Sequence, residues 1–231
     1  MALRGHNILF TGFPGTGKSF PVIELAKQLK AIGKNVVVTA TTVIASQGLR
    51  QKLPEHVGAV STIHKFVGLK HGRFENDELL NLIVHDENFV DIKNNIKAMD
   101  TLIIDEMSIL SSKLLEQIQN IFESVRCSAC PFGGVQMILS GDFYQLPPVP
   151  NINYGDNGQM CYNSLYVKTF FYHVQLDMIH RQEEPDFMSV LAITPDCRVI
   201  SIKSRSNNYI LLRFPLFNSL IKVCTYINFL F

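Results

Sequence analysis

An α/β fold, a parallel β-sheet flanked by helices, is predicted by three features of this 231-residue sequence. Short apolar runs alternate with helical patterns, the order that builds crossover connections. A glycine-rich loop, Gly12-Phe13-Pro14-Gly15-Thr16-Gly17-Lys18-Ser19, joins the first run to the first helical pattern. A later run, Thr101 to Ile104, ends in two acids, Asp105 and Glu106.

Each element follows from local pattern. Asn7 to Thr11 is apolar enough for a buried parallel strand. Val22, Leu25, Ala26 and Leu29 recur at helical spacing, with Gly33 as a stop. Pro21 requires that helix to begin at about Lys18 or later, because a proline deeper inside would cost about 3 kcal/mol. Val36 to Ala40 reads as a strand, and Thr42 to Lys52 as a helix closed by Pro54. Glu75 to Ala98 is polar and weakly helical, without a clear element. After the strand Thr101 to Ile104, Leu114, Ile118, Ile121, Phe122 and Val125 mark one face of an amphipathic helix, with Ser111 or Ser112 as its N-cap. Gly133 and Gly134 turn the chain into a strand from Val135 to Ser140, ending at Gly141 and Asp142. Pro147, Pro148 and Pro150 break the pattern, Asn151 to Asn163 is a loop, and order resumes from Phe170 to Leu176.

The chemistry begins in the glycine-rich loop. Gly12, Gly15 and Gly17 let the backbone curl with its N–H groups inward, a cradle for phosphate. Pro14 and Thr16 complete the loop. Lys18 can place its ammonium between β- and γ-phosphates, Ser19 can offer a hydroxyl to Mg²⁺, and the helix N-terminus adds its dipole. This is a site for ATP, and a strand before and a helix after are the context that separates it from a chance glycine-rich turn. Asp105 can hold Mg²⁺ through water, and Glu106 can take a proton from water attacking the γ-phosphate. In isolation two such acids are as often a solvated turn. Gln145, just past a strand end, can sense the γ-phosphate or hold the attacking water.

Several segments together resemble the first RecA-like motor domain of the Pif-one family of DNA helicases, the RecD-like branch of superfamily one. They are the loop Gly12 to Ser19, T-A-T-T-V-I-A-S from Thr39, S-T-I-H-K-F-V-G-L from Ser61, L-I-I-D-E-M-S from Leu102, G-D-F-Y-Q-L-P-P-V from Gly141 and V-Q-L-D-M-I-H-R-Q from Val174 with a following D-F. The resemblance covers roughly Asn7 to Ala192. It implies an α/β P-loop NTPase, an ATP-driven motor moving 5′ to 3′ on single-stranded DNA and opening forked duplexes. The implied processes are DNA repair, recombination and telomere maintenance, in the nucleus, with the mitochondrion as the alternative compartment. By position it makes Lys18, Glu106, Gln145 and an arginine finger, Arg181, the catalytic set. It places DNA against Thr39, Thr41, Thr62, His64, Lys65 and Phe66. Hydroxyls and Lys65 suit phosphates and an exposed ring can stack on a base, while Phe66 serves equally as core and His64 more often packs.

Two departures accompany the resemblance. The glutamine-containing segment expected upstream of the loop is not matched in Met1 to His6, and Ile193 to Phe231 resembles nothing in the family. The expected organisation is therefore a RecA-like domain over 1–192 and an irregular tail over 193–231. A motor needs two domains that close and open, so one domain is expected to bind ATP without unwinding DNA. A small-molecule kinase and a nucleotide-binding protein without turnover remain open as alternatives.

Bulk properties bound the rest. The formal net charge of +1 selects neither for nor against nucleic acid. Lys65, Lys70, His71 and Arg73 form the one local basic run near the expected DNA edge. Five cysteines without a scaffold spacing suit a reducing environment, and Cys127 with Cys130 is a single C-x-x-C lacking a second pair for zinc. Tyr209 to Phe231 is apolar, but Arg213, Pro215 and Lys222 argue against a membrane span, since a basic residue at mid-bilayer costs about 2.5–3.5 kcal/mol.

Overall fold

The computed structural model describes residues 1–13, 15–58, 60–69 and 74–176, and the backbone of 198–203 and 209–214. In chain order the strands and helices are β1 (Asn7–Gly12), α1 (Ser19–Ala31), β2 (Val36–Ala40), α2 (Val43–Lys52), β3 (Val60–Thr62), α3 (Ile63–Val67), α4 (Asn76–His85) and α5 (Val90–Ala98). There follow β4 (Thr101–Asp105), α6 (Ser112–Arg126), β5 (Gln136–Gly141), α7 (Leu165–Phe170), β6 (Phe171–Leu176), β7 (Arg198–Lys203) and β8 (Tyr209–Phe214).

The sheet runs β3-β2-β4-β5-β1-β6-β7-β8. From β3 to β6 every pairing is parallel, as the alternating pattern predicts. β7 pairs antiparallel with β6, and β8 with β7. Of the tail over 193–231, the described backbone is that of these two strands at the sheet edge.

Both faces of the sheet are covered, which explains the near-continuous apolar runs of β1, β4 and β5. Ile8, Phe10, Val38, Ile103 and Ile138 meet Val22, Leu25 and Leu29 of α1 and Leu49 of α2. Leu9, Leu102, Ile104, Met137 and Leu139 face the other layer, which holds Leu79, Ile83, Ile96, Leu115, Ile118 and Phe122.

Pro21 is the third residue of α1, where its missing N–H would have no partner within the helix in any case. Ser111 caps α6, accepting from Leu114 N at 3.2 Å. The buried face of α6 includes Leu115, while Leu114 is only partly covered. Several elements lie below the reach of the sequence pattern. β3 is three residues long, α7 six, and the segment 75–98 is split into α4 and α5 by a helical turn at Glu87–Phe89.

Candidate nucleotide-binding site

The candidate functional side chains lie at the C-terminal ends of β1, β4 and β5, with β5 between the other two. In an open parallel sheet this is where ligands bind, because loops and helix N-termini converge there.

The loop after β1 is shaped for phosphate. Gly15 and Gly17 have φ of +83° and +81°, a region that glycine enters without penalty. At Gly12 a Cβ would stand 2.6 Å from the Leu176 carbonyl and from Thr16 Oγ1, so only glycine fits beside β6. Thr16 tightens the loop by donating its hydroxyl to Phe13 O at 2.8 Å. Pro14 lies outside the described residues. Lys18, 9% exposed, donates Nζ to Gly12 O at 2.7 Å and Phe13 O at 3.0 Å, and stands 4.0 Å from Asp142 Oδ2. Burial pushes its ammonium below the ordinary lysine range, and Asp142, Glu106 and Asp105 resist that shift. These carbonyls hold a charge that an anion would hold better.

Asp105 ends β4 and is 4% exposed. Burial raises its carboxyl above the usual range, and the polar groups of Ser140 and the Glu106 backbone, the charge of Lys18 and the Ser19 hydroxyl resist that shift. Ser19 is the first residue of α1, and its hydroxyl and the Asp105 carboxylate are hard oxygen donors of the kind Mg²⁺ takes. Glu106 sits at φ +54°, a left-handed backbone unusual for a residue with a side chain. Its carboxyl is raised by burial, by Asp105 and by Asp142, while Lys18 lowers it. A carboxylate with raised proton affinity suits a general base.

The loop after β5 is organised by Asp142, which is buried. Its Oδ1 accepts from Tyr144 N at 3.0 Å, and its backbone oxygen accepts from Gln145 N at 3.2 Å. Gln145 is exposed, and its Nε2 lies 3.4 Å from Asp142 Oδ2. In the sequence Asp142 is marked only as a strand end. Its signal was the one that found Asp105, an apolar strand terminating in an acid.

Two expected DNA contacts require correction. Thr39 is inside β2, fully buried, with its hydroxyl donated to Ile103 O at 2.8 Å. Thr41 is also buried, donating to Glu106 O at 2.5 Å. Thr39 ties β2 to β4, and Thr41, just past β2, ties its loop to the residue just past β4, so both hydroxyls are spent within the chain. Thr62 caps α3 by accepting from Lys65 N at 3.4 Å. His64 is half-buried, and burial lowers its proton affinity. Lys65 is exposed, whereas Phe66 is half-buried and packs on the core. Lys70, His71, Arg73 and Arg181 lie outside the described residues.

Cys127 and Cys130 are exposed free thiols, and among the described residues no group of three His, Cys, Asp or Glu could hold a metal. Cys161 is buried, its thiol pushed up to about 12. Among the described residues no helix is long and apolar enough to cross a membrane.

A family model described as PIF1-like helicase matches residues 1–188. The chain belongs to that family. The ATP-dependent DNA helicase PIF1 of Saccharomyces cerevisiae is 39% identical over 151 residues, covering 64% of this chain and 16% of the relative. The ATP-dependent DNA helicase RRM3 of the same species is 30% identical over 188 residues, covering 80% and 24%. This PIF1-like chain therefore spans a quarter or less of the length of these relatives. Among solved structures, the Pif1 helicase of Candida albicans superposes with a TM-score of 0.68 at 30% identity, over 81% of this chain and 40% of that one. Bacteroides Pif1 bound to ssDNA gives 0.64 at 29% identity, over 82% and 42%.

Proposed function

We propose that this chain is the nucleotide-binding part of an ATP-dependent DNA helicase, coupling ATP hydrolysis to movement on single-stranded DNA and into forked duplexes. The observation that carries the reading is the convergence of Lys18, Asp105, Glu106, Asp142 and Gln145 on adjoining strand ends in a member of the PIF1-like family. Solved relatives described as bound to ssDNA, and to ADP-AlF3 with ssDNA, support both ligands. The place of action is an intracellular compartment that holds DNA, the nucleus first.

The loop Gly12 to Ser19 would wrap the phosphates, with Lys18 leaving the Gly12 and Phe13 carbonyls for the β- and γ-phosphate oxygens. Ser19 and Asp105 would hold Mg²⁺, which neutralises charge on those oxygens. Glu106 would take the proton of the water whose oxygen bonds to the γ-phosphorus as the bond to the β–γ bridging oxygen breaks, leaving ADP and phosphate. Gln145 would fix the γ-phosphate or that water, and Arg181 would offset developing charge. Of the expected DNA contacts, Lys65 is the exposed cation, with Thr62, His64 and Phe66 beside it. The test is ATP turnover by the chain with and without single-stranded DNA. Stimulation by DNA, lost by about 100-fold or more in Lys18→Ala, is expected. Turnover indifferent to DNA, with phosphate passed to a small acceptor, would favour a kinase instead.

A further inference from the structure

The ring of Phe13, in the phosphate loop, stacks on the ring of Tyr144 with centroids 4.9 Å apart and planes 18° apart. Tyr144 is 83% exposed. The pair is therefore not core packing, and truncating Tyr144 would open no buried cavity.

What the stack joins is two loops that each carry part of the site. The carbonyl of Phe13 receives Lys18 Nζ and Thr16 Oγ1. On the other side, Tyr144 N donates to Asp142 Oδ1, while Asp142 Oδ2 stands between Lys18 Nζ at 4.0 Å and Gln145 Nε2 at 3.4 Å. The contacts close a ring: Lys18 to Phe13, Phe13 to Tyr144, Tyr144 to Asp142, and Asp142 back to Lys18. Gln145 hangs from this ring next to Tyr144, exposed and with a long side-chain hydrogen bond, so its backbone sets where its amide points.

We infer that Phe13 and Tyr144 are positioning residues that couple the phosphate held by the loop to Gln145, and so set the preference for nucleoside triphosphate over diphosphate. The inference rests on the nucleotide reading above. When Lys18 turns from the Phe13 carbonyl to phosphate, the loop backbone at Phe13 loses a tether, and the stacked ring carries that change to the loop of Gln145. Without the stack, residues 143–145 spread over more conformations and Gln145 meets the γ-phosphate less often. A diphosphate, lacking that group, does not register the loss.

The experiment is a calorimetric titration of the full chain with Mg²⁺-ADP and with a non-hydrolysable Mg²⁺-ATP analogue. The wild type should prefer the analogue. Tyr144→Ala and Phe13→Ala should each reduce that preference by about threefold to tenfold, the range expected for one aromatic pair. In Tyr144→Ala, whose ring lies outside the phosphate loop, ADP affinity should move by less than about twofold. Tyr144→Phe, which keeps the ring, should restore the preference. In a Gln145→Ala background, Tyr144→Ala should cost nothing more, a result that general loosening of the loop would not produce. The coupling is overturned if Tyr144→Ala keeps the preference, weakens both nucleotides equally, or adds its full effect on top of Gln145→Ala. It is also overturned if the wild type binds both nucleotides equally. A wild type that binds neither nucleotide refutes the nucleotide reading itself, and the coupling with it.

Discussion

The two ends of the parallel sheet are built on opposite terms. At the C-terminal end, Lys18, Asp105, Glu106 and Asp142 crowd together, and burial disfavours the charge on Lys18, Asp105 and Glu106. At the N-terminal end, polar side chains close the backbone. Gln136 donates to Ala2 O and His6 O and accepts from Thr101 Oγ1, Asn35 donates to Ala98 O, and Asn7 accepts from Met137 N. Arg126 alone donates to the carbonyls of Ile96, Lys97, Met99 and Gly133. One end stores unfavourable charge for a ligand to relieve, and the other has little left unsatisfied. Substitutions at the N-terminal end should therefore cost stability and spare binding, while those at the charged end should cost binding and spare or raise stability.

The sharpest way to break this contrast is Arg126→Ala. Losing the guanidinium leaves carbonyls at the end of α5 and before β5 without their donor, so chemical denaturation should show a loss of about 3 kcal/mol. Nucleotide affinity, measured where the variant is still folded, should hold. A smaller step at the same end is Gln136→Leu, which keeps the bulk but strands three groups. About 1–2 kcal/mol should be lost, again without a change in affinity.

At the other end, Asp105→Asn should raise stability by about 1 kcal/mol at neutral pH while weakening Mg²⁺-dependent nucleotide binding. The sign follows from proton linkage. A carboxyl raised by burial binds its proton more tightly in the folded chain, so its contribution to stability is present below the ordinary carboxylate range. It is lost as pH rises through the raised folded value. The gain from Asn should therefore shrink as the pH falls toward the ordinary aspartate range. A gain that stays constant with pH would show that the carboxylate is not the source of the strain.

Much of this was legible before any coordinates. Glycines at 12, 15 and 17, a lysine and a serine after them, and Asp105-Glu106 behind an apolar run mark a candidate phosphate site, because few backbones and few side chains can do that chemistry. The core faces of α1 and α6 were legible too, since burial repeats with the helical period. Short elements were not: β3 and α7 offer too few residues for a period, and their existence depends on neighbours. The same limit applies to Thr39 and Thr41. A threonine next to a strand end looks like a hydroxyl offered to a ligand until the adjoining strand supplies a carbonyl to receive it.

By itself the sequence determined the phosphate loop, the acidic strand end, the alternation of strand and helix and the family to which they point. These are local properties, written in residue type and spacing. Tertiary structure alone decided that β5 lies between β1 and β4, bringing Asp142 to Lys18, and that Phe13 meets Tyr144 from more than a hundred residues away. It also decided which threonines are spent inside the sheet. Such facts depend on the order of strands and on what each side chain finds opposite it, and no local pattern carries that order.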